Sequence, residues 1–125
     1  MDSKKVLVVD DSNVMRQIIK NNLKQLGFKP ENISDADDGA AGFKKAGDEK
    51  FDLIVSDWNM PKMTGIDFLK AVRADDKLKG VPFLMVTSET EKEKIVEAVQ
   101  AGVSQYIVKP FNANQLEEKI KQIFK

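Results

Sequence analysis

Five short apolar runs alternate with amphipathic stretches along the whole chain, and this alternation constrains the fold more than any other feature. The runs predict strands at 5–9, 32–36, 52–56, 82–86 and 105–108. Three of them are almost continuous Val, Ile, Leu, Phe and Met, which is typical of parallel strands covered on both faces. The stretches between strands would then be crossover helices on both sides of the sheet. The sequence therefore predicts a doubly wound α/β fold.

The amphipathic stretches carry apolar residues at helical spacing, which predicts a buried stripe on each helix. These residues are Met15, Ile18, Ile19, Leu23 and Leu26 in the first helix, Phe68, Leu69 and Val72 in the third, Ile95, Ala98 and Val99 in the fourth, and Leu116, Ile120, Ile123 and Phe124 in the fifth. A second helix is predicted near 39–46. Glycine readily closes a helix, so helices are expected to end at Gly27, Gly47, Gly80 and Gly102.

Length and composition exclude several classes of protein. The 125 residues suit one domain, so we expect 1–125 to be a single domain whose output passes through binding. Lys and Arg (20) balance Asp and Glu (20) without a basic arm, which argues against nucleic acid as a partner. Cysteine and histidine are absent, which excludes disulfides and thiolate or imidazole chemistry. Apolar runs too short for a membrane span or signal peptide indicate a cytoplasmic protein without membrane contact.

Chemically capable side chains stand at four of the five predicted strand ends. They are Asp10 and Asp11 after the first strand, Asp57 after the third, Thr87 and Ser88 after the fourth, and Lys109 after the fifth. Open α/β sheets bind ligands beyond these ends. If the first and third strands are neighbours, three carboxylates meet, and two of them about 4 Å apart repel by roughly 4 kcal/mol at an effective dielectric near 20. A cation is therefore expected between them.

An all-oxygen ligand set predicts a hard cation, and two or three carboxylates suit Mg²⁺ better than a Ca²⁺ cage. Mg²⁺ in turn indicates phosphate chemistry, because a carboxylate can attack phosphorus when a metal neutralises the incoming charge. Asp57 closes the central strand and is the expected nucleophile. Thr87 and Lys109 would contact phosphoryl oxygens, and Lys109 would pair with Asp57 beforehand.

Each of these residues also has an ordinary structural explanation. Asp11 or Ser12 could cap a helix that begins near Asn13. Thr87 could be a turn residue and Lys109 an exposed lysine. Caps and turns alone do not explain why four strand ends carry groups that serve one reaction, so we favour a common site.

Four short motifs carry a family resemblance: VVDDS at 8–12, DWNMP at 57–61 with TG at 64–65, TSE at 87–89, and YIVKPF at 106–111. In this order and spacing the chain resembles the receiver domain of two-component response regulators over essentially its full length. Within that family it is most similar to the free-standing chemotaxis regulators. The resemblance implies a flavodoxin-like five-stranded parallel sheet in the order 2-1-3-4-5 with five helices.

The resemblance also implies a role for individual residues. Asp57 would be the phosphoacceptor, and Mg²⁺ would be held by Asp11, Asp57 and the backbone carbonyl of Asn59, with Asp10 acting through water. Thr87 and Lys109 would contact the phosphoryl group, and the bond from Lys109 to Pro110 would be cis. Thr87 and Tyr106 would form a coupled switch. The side chains of Asn59 and Glu89 would tune dephosphorylation.

Output is expected through a face formed by the fourth helix, fifth strand and fifth helix. Apolar residues of the fourth helix spread over a wide arc, which indicates either an exposed edge beside Tyr106 or a broad buried face. We favour the exposed edge and predict a partner face at Ile95, Val99, Tyr106 and Lys119, where an amphipathic helix could dock. The resemblance implies a histidine kinase, a chemotaxis kinase in particular, as donor, a flagellar motor-switch protein as output partner, and a phosphatase as a third partner.

The expected protein is a monomeric signalling protein, not an enzyme, since it would catalyse only its own aspartate phosphorylation and dephosphorylation. Other free-standing receivers, which shuttle phosphate or regulate kinases, carry the same residues. A Mg²⁺-dependent aspartyl phosphatase is less favoured because little chain is left for a cap or lid. A flavin carrier is disfavoured because Asp10 and Asp11 would repel the flavin phosphate. An interaction module without phosphorylation would not need the full set of reactive groups.

Overall fold

The computed structural model describes residues 3–88 and 92–124, in which strands and helices alternate strictly. The strands are β1 (Val6–Val9), β2 (Ile33–Ala36), β3 (Leu53–Asp57), β4 (Phe83–Thr87) and β5 (Gln105–Val108). The helices are α1 (Asn13–Gln25), α2 (Gly39–Asp48), α3 (Gly65–Ala74), α4 (Lys92–Gln100) and α5 (Ala113–Ile123), with a 3₁₀ turn at Pro30–Asn32. Over these ranges, no helix has the length and hydrophobicity of a membrane span.

All five strands are parallel and pair in the order β2-β1-β3-β4-β5, which confirms the predicted flavodoxin-like sheet. Val9 of β1 stands beside Ala36 of β2 and Ser56 of β3. The direction of strand order reverses at β1 and β3, so a crevice opens where their carboxyl ends diverge.

Alternate residues of each strand enter different cores because strand side chains point to opposite faces. On one face, strand residues such as Leu7 and Val9 pack with α2, α3 and α4 around Phe68. On the other face, Val6 and Val8 pack with α1 and α5. Both faces are therefore buried, which explains the continuous apolar runs.

Strand boundaries differ from the predicted ones by a single residue. Four strands begin one residue later than predicted, at Val6, Ile33, Leu53 and Phe83. At the first of these starts, the backbone N–H of Lys5 donates to the side chain of Asp52 at 2.9 Å. At the other end, β3 and β4 each extend one residue further, to Asp57 and Thr87.

Several helix predictions are confirmed and others are wrong. The second helix is present, but it continues through Gly47 and closes when the N–H of Glu49 donates to Lys45 O at 3.1 Å, so no left-handed residue is needed. Gly80 lies six residues beyond α3 and does not end it. Gly27 and Gly102 do follow α1 and α4, with φ of 104° and 96°.

One apolar residue of the predicted buried stripes is exposed instead, since Ile18 is 44% exposed while its neighbour Ile19 is 1% exposed. Val99 is 58% exposed, as expected for the exposed edge of α4, while its neighbour Ala98 is 1% exposed. The apolar stripes of α1 and α4 are thus wider than the surface that each helix buries.

Candidate functional site

Asp10 follows β1 directly and is almost fully buried, with 1% of its surface exposed. Its Oδ1 accepts a hydrogen bond from the N–H of Ser12 at 2.8 Å. Its Oδ2 has no hydrogen-bond partner within the described parts of the chain and lies 3.9 Å from Lys109 Nζ. Burial raises the pKa of Asp10 from its ordinary 3.8 to about 6.

Ser12 is the N-cap of α1, and its Oγ accepts from the N–H of Met15 at 3.2 Å. The capping explanation for Asp11 is therefore wrong. Asp11 is exposed, and its carboxylate makes no hydrogen bond or ion pair with the residues that the structure describes. Carboxylate oxygens of Asp10, Asp11 and Asp57 lie within 4.8 Å of one another.

Asp57 is the last residue of β3 and is 5% exposed. Its Oδ1 accepts from Lys109 Nζ at 2.9 Å, which confirms the predicted ion pair. Lys109 follows β5, and its backbone N–H donates to Thr87 O at 2.8 Å. The peptide bond between Lys109 and Pro110 is cis, as the family resemblance implied.

Thr87 ends β4 and is buried at the same edge of the sheet as Asp57. Asp57 stands beside Val86 in the β3–β4 register, so Thr87 is one position further toward the carboxyl ends. Asn59 is exposed two residues after Asp57. Glu89, the other residue predicted to tune dephosphorylation, lies outside the described residues.

The residues of this cluster fit a divalent cation. Three carboxylates lie together, and the Lys109 ammonium group lies 3.9 Å and 2.9 Å from two of them, Asp10 and Asp57. Asp10 Oδ2 is a buried oxygen without a hydrogen-bond partner in the described chain. A buried polar atom normally has a partner, so its orphan state indicates a ligand or ordered water. The donor atoms are all oxygen, which suits Mg²⁺.

The family model for the response regulator receiver domain matches residues 6–121, which is most of the chain. The chain belongs to the response regulator receiver family. This receiver is 55% identical over 120 residues to chemotaxis protein CheY of Pseudomonas aeruginosa, covering 96% of this chain and 95% of that protein. It is 52% identical over 120 residues to CheY-3 of Vibrio cholerae, covering 96% and 91%.

Solved structures agree with the sheet order. The structure of chemotaxis protein CheY4 of Vibrio cholerae superposes on this receiver with a TM-score of 0.88 at 41% identity, covering 96% of this chain and 98% of that one. The fold and the family are thus established independently of the acidic cluster.

The predicted partner face of the receiver is partly exposed. Val96 and Val99 on α4 are 42% and 58% exposed, so a broad buried face is wrong for them. Ile95 and Tyr106 are half-buried. Lys119 Nζ lies 5.6 Å from the centre of the Tyr106 ring. A pocket of about 270 Å³ includes both of these side chains, and its lining residues are Tyr106, Ile107, Val108, Gln115, Glu118 and Lys119.

Gly65 has a structural role at the site that spacing alone did not reveal. Its N–H donates to Trp58 O at 2.7 Å, which brings the start of α3 against the end of β3. A Cβ at Gly65 would meet the carbonyl oxygen of Asp57 and lie 2.8 Å from Trp58 Cα. The receiver therefore needs glycine here for close backbone approach.

Arg16 is a second residue that the sequence interpretation missed. Its Nη1 donates to the carbonyl oxygen of Asp10 at 2.6 Å, and its Nε donates to Asp35 Oδ2 at 3.1 Å. One signal was available, because a cation in the first turn of a helix opposes the helix dipole and needs another reason to be there. The contact with Asp10 supplies that reason.

Proposed function

We propose that this receiver is a cytoplasmic, monomeric chemotaxis signalling protein that accepts a phosphoryl group on Asp57 with Mg²⁺ and then binds an output protein. The observation that supports it most is the meeting of Asp10, Asp11 and Asp57 within 4.8 Å, with Lys109 Nζ 2.9 Å from Asp57. The names of its relatives favour chemotaxis as the process.

The proposed metal ligands are Asp11, Asp57 and the backbone carbonyl of Asn59, with Asp10 acting through water. When bound, Mg²⁺ supplies the positive charge that lets a carboxylate approach a phosphoryl group. Asp10 orders the turn through its bond from the N–H of Ser12 and leaves Oδ2 facing the cluster.

In the proposed transfer, a carboxylate oxygen of Asp57 attacks the phosphorus of a phosphohistidine on a histidine kinase. The P–O bond to Asp57 forms while the P–N bond breaks, and its electron pair stays on the histidine nitrogen. Lys109 exchanges its contact with Asp57 for a phosphoryl oxygen, and the Thr87 hydroxyl donates to another. No histidine of this chain could serve as donor, since it has none.

Dephosphorylation would restore the free carboxylate by attack of water on phosphorus. The side chains of Asn59 and Glu89 would govern the access of that water, with a phosphatase as a further partner. In this proposal the receiver acts on its own aspartate and not on a separate substrate.

The signal would leave through α4, β5 and α5. Phosphorylation adds about −1.5 to −2 charge, which becomes a signal when a two-state element responds. The proposed element couples Thr87 to Tyr106, which lies on the neighbouring strand beside Met85. Ile95, Val99, Tyr106 and Lys119 would then form a face for an amphipathic helix of a flagellar motor-switch protein.

Intact-mass measurement after incubation with Mg²⁺ and acetyl phosphate tests the proposed phosphorylation. We expect the chain to gain one phosphoryl group. Neither the Asp57→Asn variant nor the wild type in EDTA should gain it. No gain in the wild type would instead favour an interaction module that keeps the fold without the chemistry.

The proposed switch has a separate test. Tyr106→Ala and Tyr106→Trp should alter binding to a motor-switch peptide more than they alter the phosphoryl yield. Glu118→Gln, which also lines the pocket that contains Tyr106, serves as a control. Equal loss of binding and phosphorylation in the Tyr106 variants would contradict a switch role.

A further inference from the structure

We infer that Arg16 is a positioning residue, which holds the Asp10–Asp11 turn in the geometry that Mg²⁺ binding needs. The inference rests on the proposed function, because it concerns the same metal site. Arg16 does not belong to the acidic cluster, and its guanidinium reaches the turn from the first turn of α1.

The turn needs support because the strand ladder ends just before it. The register between β1 and β2 ends at Val9 and Ala36, and the N–H of Asp10 donates to Ala36 O at 3.2 Å. Asp10 is 1% exposed, so its carbonyl must find a partner inside the protein. The bond that this carbonyl accepts comes from Arg16 Nη1 at 2.6 Å.

The guanidinium is itself held in place on two further sides. Nε donates to Asp35 Oδ2 on β2 at 3.1 Å, and Nη2 contacts Asn13 Oδ1 at 3.3 Å. The side chain of Arg16 is only 15% exposed. A planar fork can make these three bonds in fixed directions, whereas a lysine ammonium is a point charge that cannot span them.

Fixing the Asp10 carbonyl also fixes Asp11. The peptide unit between the two residues is planar, so the direction of the Asp10 C=O sets the position of the Asp11 Cα. The Asp11 carboxylate has no hydrogen bond of its own to the rest of the described chain, so backbone geometry places it. Ser12 secures the far end of the turn by capping α1.

An electrostatic role and a positioning role for Arg16 predict opposite changes in Mg²⁺ affinity when Arg16 is replaced. Arg16 is a cation near a cation site, so removing its charge should tighten Mg²⁺ binding if it acts only through electrostatics. Loss of the fork should weaken Mg²⁺ binding if it acts by positioning. Arg16→Lys keeps the charge and loses the fork, so this variant separates the two effects.

The experiment measures the Kd of Mg²⁺ by isothermal titration calorimetry, with the fluorescence of buried Trp58 beside Asp57 as a second signal. Variants are Arg16→Lys and Arg16→Met, with Lys20→Ala as control. Lys20 Nζ lies 3.7 Å from the same Asp35 carboxylate but does not contact the turn. We expect both Arg16 variants to raise the Kd roughly tenfold, as other supports of metal ligands do, and the control to stay near the wild type.

A melting curve of each variant in EDTA completes the test. Arg16→Lys with the wild-type Kd, or Arg16→Met with a lower Kd, would overturn the positioning role. A drop in the Tm of metal-free protein with unchanged Kd would also overturn it, because Arg16 would then serve the fold alone. If the wild type binds no Mg²⁺, the proposed function fails as well, whereas the other outcomes leave it standing.

Discussion

At the scale of single residues, Asp10 is a carboxylate that the folded chain buries almost completely. Burial raises its pKa from 3.8 to about 6. Between these two values the folded chain keeps a proton that the unfolded chain has already released. The unfolded state therefore binds fewer protons, and the stability of the metal-free protein falls as pH rises through this window.

Asp10→Asn should remove this pH dependence. In EDTA the variant should gain stability relative to the wild type as pH rises from 4 to 7, by about 2 to 3 kcal/mol in total, because each pKa unit corresponds to about 1.4 kcal/mol. Urea unfolding at several pH values measures the difference. A difference that does not change with pH would contradict the raised pKa. In saturating Mg²⁺ the wild type should instead be more stable than Asp10→Asn, since the wild-type carboxylate then faces a cation.

The sequence interpretation of single residues was least complete where two residues competed for one role. Asp11 and Ser12 could each have capped α1, and the structure gives that role to Ser12. The choice depends on which side chain points back at the first turn, and sequence spacing does not contain that information. Arg16 was missed because its partners Asp10 and Asp35 lie just after β1 and on β2, where only the fold brings them to α1.

At the scale of elements, the junction between β3 and α3 depends on the absence of a side chain at Gly65. Gly65→Ala should destabilise the protein by about 2 to 3 kcal/mol, because the new methyl group would meet the backbone of Asp57 and Trp58. Chemical denaturation measures the loss.

Gly47→Ala is the matched control for Gly65→Ala. Gly47 lies inside α2, and a Cβ there would meet nothing within 4 Å. Alanine should stabilise the helix by about 0.5 to 1 kcal/mol relative to glycine. Equal effects at the two glycines would contradict the close approach of α3 to β3.

The loop between β3 and α3 contains a residue with strained backbone geometry. Lys62 has φ of 68°, and the next residue closes a tight turn, with Met63 N–H donating to Pro61 O at 2.7 Å. Lys62→Gly should stabilise the protein by about 0.5 to 1 kcal/mol, since glycine adopts this conformation without a steric penalty. Lys62→Ala is the control and should change little. Thermal unfolding of both variants tests the difference, and a loss of stability in Lys62→Gly would contradict it.

Arg73 joins two of the elements packed on one side of the sheet. It extends from α3 and donates to Gly102 O at 2.8 Å and to Val81 O at 2.6 Å, and burial lowers its pKa. Its guanidinium thereby connects the turn after α4 to the start of β4. Like Arg16, it bridges segments far apart in the chain, so its role was not evident from the sequence.

At the scale of the whole molecule, one edge of the sheet gathers groups from four separate segments of the chain. The residues Asp10, Asp57, Thr87 and Lys109 stand at the ends of different strands. The strand order makes these strands neighbours and so brings the four side chains to one edge of the sheet. A ligand at this edge would therefore contact most of the fold. Binding to the folded state alone stabilises it by mass action.

Mg²⁺ should raise the Tm of the whole chain. At a free Mg²⁺ concentration ten times the Kd, the gain is about 1.4 kcal/mol, which corresponds to roughly 4 to 6 °C for a chain of this size. Calorimetric melting at increasing Mg²⁺ measures it. Asp11→Ala should lose the response without losing the fold, because Asp11 is exposed and makes no hydrogen bond or ion pair with the described residues. If the Tm of the wild type did not change with Mg²⁺ concentration, the proposed metal site would be contradicted.

The sequence by itself determined the α/β alternation, the helix-forming stretches and the reactive groups at the strand ends, because these depend on periodicity and order along the chain. Only the tertiary structure decided that Ile18 is exposed, that Ser12 and not Asp11 caps α1, and that Arg16 donates to the carbonyl oxygen of Asp10. Those outcomes depend on which segments meet in space. Local patterns set what each segment can form, whereas strand pairing sets the distances between segments.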